Sequence, residues 1–220
     1  MPGKQRVREA KRALYRALVL EASERVFAAK GYEEAKIDEI AREAGLSLGT
    51  LYNVFPGKAD IFRTVHEAHD AELLRRGVEL AVAEPDPMRA LLAGVRGYTS
   101  YFLEHPDFLR MNLQDGSTWG AEAANAQSRE RTEAWRRGVD MLSVALGRCI
   151  EAGAVHAGDA RLLARMMIAM QQVQLADWLE SGMREPAERV VDRIVADTRR
   201  FFGRPQSTEE PPAGSRGTSS

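Results

Sequence analysis

A single cysteine, Cys149, stands in a chain of 220 residues, so an internal disulfide and a thiolate metal cage are both excluded, and a reducing compartment is expected. No stretch reaches the ~18 uninterrupted apolar residues of a membrane span. The first sixteen residues carry cations where a secretory signal needs an apolar run, which makes the chain read as cytosolic, with no membrane partner. Neither sign of charge dominates, with 31 basic and 32 acidic side chains, so the whole molecule exerts no general pull on nucleic acid or membrane. Period-2 alternation of β-branched and aromatic residues is missing, which argues against strands. G-x-S-x-G, P-loop, dinucleotide and zinc-ligand spacings are missing too, so no enzyme, metal or cofactor is expected. No repeat of 20 to 50 residues suggests a solenoid. What remains is 44% hydrophobic residues, enough to bury a real core.

The even charge total hides an uneven distribution. Residues 1 to 60 hold 11 basic and 9 acidic side chains, and the remainder 20 and 23. Within residues 1 to 16, Lys4, Arg6, Arg8, Lys11, Arg12 and Arg16 face only Glu9. Such a basic arm, taken as residues 1–15, either solvates a loose terminus or binds a polyanion.

Helical spacing predicts an all-α fold. The first helix is expected from about Arg8 to Lys30, with Gly31 ending it in a left-handed conformation and Tyr32 packing back. Two short amphipathic pieces follow, Ile37 to Ala44 and Ser47 to Phe55, closed by Pro56 and Gly57. Longer helices are expected over Lys58–Val82 and Pro87–Glu104, separated by Glu84-Pro85-Asp86-Pro87. A short one follows from Pro106 to about Leu113, then a loop over Asp115–Asn125, then a helix over about Ser128–Ala152. Asp159 is placed to cap a helix to about Glu180 that is apolar nearly all round, a pattern that needs cover on more than one side. A last helix follows Pro186 and ends near Phe202. The tail, 203–220, has no large apolar side chain and is expected to be disordered.

Ile37–Ala44, the glycine turn Gly45-Leu46, and the helix opened by Ser47 have the spacing of a helix-turn-helix, whose second helix enters a major groove. Ala41 is small where two helices approach, and Ile37, Ile40, Leu46 and Leu51 supply the buried face. Ser47 is the expected N-cap, leaving Leu48, Gly49, Thr50, Tyr52 and Asn53 near an exposed leading end. Thr50 and Tyr52 carry hydroxyls for phosphates, and Asn53 can pair bidentately with an adenine edge. Lys58 begins the next helix, where backbone N–H groups and an ammonium together favour a phosphate. Spacing alone also fits an ordinary corner between two helices of any helical protein.

The literal residues narrow that choice. Val19-Leu20-Glu21-Ala22, Val26-Phe27-Ala28-Ala29-Lys30-Gly31-Tyr32, Ile37 through Ser47, Gly49-Thr50-Leu51-Tyr52 and Phe55-Pro56-Gly57-Lys58 resemble the DNA-binding region of TetR-type (tetracycline-repressor-like) regulators. The resemblance covers about one fifth of the chain. It implies a helix-turn-helix domain over 16–60, an effector-binding and dimerisation domain over 61–202, and a dimer gripping a near-palindromic double-stranded operator. Released by a small, largely apolar effector, such a protein would act as a repressor. DNA contacts are implied for Lys36, Ser47, Leu48, Gly49, Thr50, Tyr52, Asn53 and Lys58. The sequence departs from the family at Leu48, where Lys or Arg is frequent, at Lys36, where Ser or Thr is, and at Val54, where His or another polar aromatic is. Leu48 suits a thymine methyl and Lys36 replaces a hydroxyl by a charge, so the operator should differ from those of relatives. A helical interaction module whose helix-turn-helix no longer binds DNA is the first competing reading, and an enzyme without recognised motifs is the second.

Two further sets of residues follow. Tyr98, Tyr101, Phe102, Phe108, Met111, Trp119, Trp135 and Met141 either line an apolar cavity for the effector or are plain core. The family dimerises through its last two helices, and the expected contacts there are Met167, Met170, Gln171, Gln174, Trp178, Val191, Ile194 and Val195. His66 and His69, with Glu67 and Asp70 nearby, are read as a solvated helix face and not a metal site. Cys149 is read as an inert buried thiol.

Overall fold

The computed structural model describes residues 2–114 and 126–205. Its helices are α1 (Pro2–Glu34), α2 (Ile37–Glu43), α3 (Leu48–Tyr52), α4 (Lys58–Val82), α5 (Pro87–Glu104), α6 (Pro106–Gln114), α7 (Ala126–Glu151), α8 (Ala160–Glu180) and α9 (Ala187–Phe202). Among the described residues the only β pairing is one antiparallel bridge between Val155 and Gly203. No described helix is long and apolar enough to cross a membrane. The expected loop over 115–125, Trp119, and the tail from 206 lie outside the described residues.

Local chemistry accounts for most boundaries. Asp86 caps α5 by accepting from Arg89 N at 2.8 Å, with Pro87 in the first turn. Asp159 caps α8 by accepting from the N–H groups of Arg161 and Leu162. Gly31 adopts φ 75°, so the helical path of α1 breaks there, and Tyr32 turns back onto the Phe62 ring at 4.8 Å. Two boundaries differ from expectation. Helix α1 starts at Pro2, so residues 2–15 of the basic segment are helical. Helix α3 stops at Tyr52, because the chain tightens there: Val54 N donates to Leu51 O, and both Val54 and Phe55 are buried.

Helices α1 to α3 close a small core of Val19, Phe27, Ile40, Leu51 and Phe55, joined by Ile61 and Phe62 of α4. Each fully buried side chain of this size contributes about 1.5–3 kcal/mol. The remaining helices enclose the larger part of the core, with α5 packed between α4, α7 and α9. Helix α4 belongs to both parts, since its first turns touch α1 and its length runs along α5. Arg96 of α5 pairs with Asp192 of α9 at 2.7 Å, and Arg161 of α8 with Asp140 of α7.

Candidate nucleic-acid interface

The turn between α2 and α3 is set by Gly45 at φ 67°, a conformation costly for other residues, with Leu46 N donating to Ala41 O at 2.9 Å. That bond is possible because Ala41 is small and buried. Ser47 Oγ accepts from Thr50 N at 3.2 Å and sits 2.8 Å from Thr50 Oγ1, so both hydroxyls help hold the first turn of α3. Leu51 points into the core at 0% exposure. Leu48 with Tyr52, and Gly49 with Asn53, are i, i+4 pairs on the opposite side, all exposed. Leu48 and Tyr52 are 41% and 49% exposed. Lys36, just before α2, is exposed as well, and its N–H donates to Glu39 Oε2 at 3.4 Å. Glu39 also accepts from Lys30 at 2.7 Å, which holds its carboxyl below the usual range.

One expected contact is redirected. The Lys58 ammonium donates to the carbonyls of Tyr32, Glu33 and Ala35 at 2.7, 3.1 and 3.0 Å and lies 4.5 Å from the Tyr32 ring centroid. Its three hydrogens are thus committed to closing the end of α1, and no free ammonium faces outward. Val54, at a position often polar in the family, is core. Arg16, which sequence spacing could not single out, donates to Val54 O at 2.9 Å and lies 4.1 Å over the Phe55 ring, tying α1 to the end of α3. The 38-residue separation of that pair leaves no local trace in the sequence.

The interior set divides. Tyr98, Tyr101, Phe102 and Phe108 form one aromatic column, with Tyr98–Phe102 at 4.9 Å and Phe102–Phe108 stacked at 5.6 Å, and Met111 is buried beside it. Trp135 is half-buried with Arg165 over its ring, and its Nε1 has no hydrogen-bond partner among the described residues. Met141 is 41% exposed and stands apart from this column, its Cε lying near Gly77 of α4. Gln172 lies near the Tyr98 phenol, and its Oε1 is buried without a described partner. Burial raises the Tyr98 phenol, and raises Tyr101 to about 12.

His66 and His69 are not on a solvated face: each is 7% exposed. They continue, at three and four residues, the apolar stripe of Phe62 and Val65. The His69 ring stacks on Phe108 at 3.8 Å, its Nδ1 is 2.7 Å from Tyr101 Oη, and its Nε2 is 3.1 Å from Glu24 Oε1. One imidazole therefore joins α1, α4, α5 and α6. Asp70 beside it is raised by burial, against the opposing pull of His66 and Arg137. Among the described residues no group of three or more His, Cys, Asp or Glu is arranged to hold a metal. Cys149 is buried, donates to Pro87 O at 3.2 Å, and is raised to about 11, chiefly by burial.

Of the eight dimer contacts expected on α8 and α9, five are covered within their own chain. Met167, Gln171, Trp178, Val191 and Ile194 are buried in their own chain, and Met170, Gln174 and Val195 are half-buried. Gln174 is occupied by Arg193 Nη1 at 2.8 Å, and Trp178 Nε1 donates to Glu185 O. On a helix apolar nearly all round, composition does not say which stripe faces inward. The outward one carries Leu162, Met166 and Val173, 53%, 53% and 58% exposed, with Phe201 of α9 at 64%.

A compact helix-turn-helix presenting exposed side chains on its second helix is the arrangement found in DNA-binding proteins of the helix-turn-helix class. Residues 19–65 match the family model for bacterial regulatory proteins of the tetR family. The uncharacterised HTH-type transcriptional regulator YuxN of Bacillus subtilis is 29% identical over 100 residues, 46% of this chain and 34% of that protein. The HTH-type transcriptional repressor SCO4008 of Streptomyces coelicolor is 25% identical over 191 residues, 81% of this chain and 95% of that one. Among solved structures, the regulator FadR from Bacillus subtilis in complex with stearoyl-CoA shares the fold, with a TM-score of 0.68 and 18% identity over 82% of this chain and 95% of the other. Over residues 19–65, about one fifth of its length, the chain is thus similar to the tetR family of regulators.

Proposed function

We propose that this regulator is a one-component repressor that binds a near-palindromic operator as a homodimer and leaves it when a small, largely apolar effector occupies the second domain. The observation that carries the reading is α3: Leu48, Tyr52 and Asn53 stand exposed on its outer side while Leu51 anchors it. Residues 16–60 form the DNA-reading unit and 61–202 the effector and dimer unit. A single α3 reads only a few base pairs, so two copies about one helical turn apart are needed for a specific site. The outward stripe of Leu162, Met166 and Val173, continued by Phe201, is the surface by which two copies would pair into a four-helix bundle.

The effector would lie against the aromatic column, where Gln172 Oε1, near Tyr98, offers an acceptor. The acyl thioester held by a protein of the same fold makes that class the first to screen. Selection of bound fragments from the source genome would identify the operator. A salt titration on it should give a log–log slope of roughly −5 to −9, as for about 6 to 10 neutralised phosphates. A flat salt response would remove the DNA reading and leave the interaction module.

A further inference from the structure

At the pole of the molecule away from α3, a cleft of about 740 Å³ opens between the start of α5, the turn from α7 to α8 and the end of α9. Helix α4 sets its distance from the helix-turn-helix, because 25 residues carry the chain about 37 Å from Lys58 before Asp86 and α5 begin. Arg89, Arg199, Arg204 and His156 line the cleft, and Asp86 is the only acid among its lining residues. That carboxylate is already engaged, since it caps α5 by accepting from Arg89 N at 2.8 Å. Arg89 itself is answered by Glu84, 3.2 Å from its Nε. Arg199 and Arg204 have no carboxylate within ion-pair distance among the described residues. Two uncompensated cations therefore face one cleft in a chain whose formal charge is −1. The backbone fixes where they stand. Val155 pairs with Gly203 in the antiparallel bridge, Arg204 N donates to Ala154 O at 2.8 Å, and Gly203 N donates to Arg199 O at 2.9 Å. A Cβ at Gly203 would fall 2.5 Å from Arg199 O and 3.2 Å from Met88 Cε, so the segment is seated directly on the start of α5.

We propose that this cleft binds a phosphoryl group of a small molecule, at a site separate from the aromatic column. A guanidinium presents parallel N–H donors that match two oxygens of one phosphate, and here two unpaired guanidinium groups reach the same cleft from α9 and from the residues just beyond it. The volume lies within the range of small-molecule sites, so there is room for an organic body attached to the phosphate. A duplex gripped by α3 lies at the opposite pole, so the anion held here is not one of its phosphates. Once bound, it ties the last turn of α9 to the start of α5 and to the turn before α8. This site stands whether or not α3 binds DNA.

The test is titration calorimetry on the full-length protein at low ionic strength, where exposed cations are least screened, with pyrophosphate and ADP as probes and no divalent metal. The wild type should bind, and its Tm should rise with the concentration of the bound probe. Losing a hydrogen bond to a charged group costs about tenfold in affinity or more, so the double variant Arg199→Gln, Arg204→Gln should bind about a hundredfold more weakly and lose the rise in Tm. A second double variant, Arg184→Gln, Arg200→Gln, removes the same charge outside the cleft, although Arg200 is the chain neighbour of Arg199. It should bind as the wild type does. Binding of ADP at least as tight as that of pyrophosphate assigns the site to phosphate esters, and binding of pyrophosphate alone assigns it to the free anion; either result supports the site. A wild type that binds neither probe overturns it. So does full binding by the first double variant, or equal weakening in both, which would mean that the anion responds only to the molecule's overall charge.

Discussion

Replacing Lys58 by methionine keeps the aliphatic stem and removes the ammonium that closes α1. Three carbonyls, of Tyr32, Glu33 and Ala35, are deprived of a charged donor, and the Tyr32 ring of its cation at 4.5 Å. A hydrogen bond to a charged group is worth about 1.5–3 kcal/mol, and a cation–π contact about 0.5–1 kcal/mol. The three bonds share one ammonium, and water can reach the partly exposed carbonyls, so their values do not add. One strong bond plus the ring contact gives a destabilisation of about 2–4 kcal/mol. At about 2–4 °C per kcal/mol for a chain of this size, Tm should fall by about 4–16 °C. Calorimetry on the variant, with a salt titration on operator DNA alongside, separates the two roles open to Lys58. Unchanged Tm with a slope about 0.9 shallower per chain would mean that the ammonium serves a phosphate, and would refute the clamp.

Asn53→Ala should lower discrimination at one operator base pair by about 1–3 kcal/mol in competition binding while leaving unrelated duplexes untouched. Val173→Glu places a charge in the centre of the outward α8 stripe, and sedimentation should show a monomer at concentrations where the wild type is paired. Cys149, raised from 9 to about 11 by burial, has about a hundredfold less thiolate than an unfolded thiol at pH 8, so iodoacetamide should label it slowly until urea is added. Because its folded value is the higher one, its contribution to stability is intact below pH 9 and is lost as pH rises toward 11, which a urea series between those values would detect.

Periodicity and caps are enough to place α4 and α5 to the residue, since prolines, Asp86 and the glycines act within one turn of where they stand. The helix-turn-helix is legible for the same reason: Ser47, Gly45 and Ala41 each act on a neighbour within about five residues. What escapes the sequence is tertiary. Lys58 reads as a free cation until the end of α1 folds over it, and His69 reads as solvated until Phe108 and Glu24 arrive from other helices. The inward stripe of α8 is undetermined because Met166 and Met167 are chemically alike, and only the packing against α5 and α7 distinguishes 53% from 0% exposure.

His69 also supplies the sharpest test of how the two ends of the molecule are joined. Its ring bridges Glu24 of α1 and Tyr101 of α5, so it links the DNA-reading unit to the aromatic column. His69→Phe keeps the flat stack on Phe108 but deletes both polar interactions. Glu24, 28% exposed at its side chain, can return to water, whereas the Tyr101 hydroxyl belongs to a residue only 3% exposed and is stranded. A buried hydroxyl left without a partner costs about 1–3 kcal/mol. Tyr101→Phe strands the imidazole Nδ1 instead, at a similar cost. With both changes no stranded atom remains at this junction, so the double variant should be less destabilised than the sum of the two single variants, by about 1–3 kcal/mol in a urea-denaturation cycle. Additive effects would show that packing alone holds α5 against the DNA-reading end, with no energy carried by the bridge.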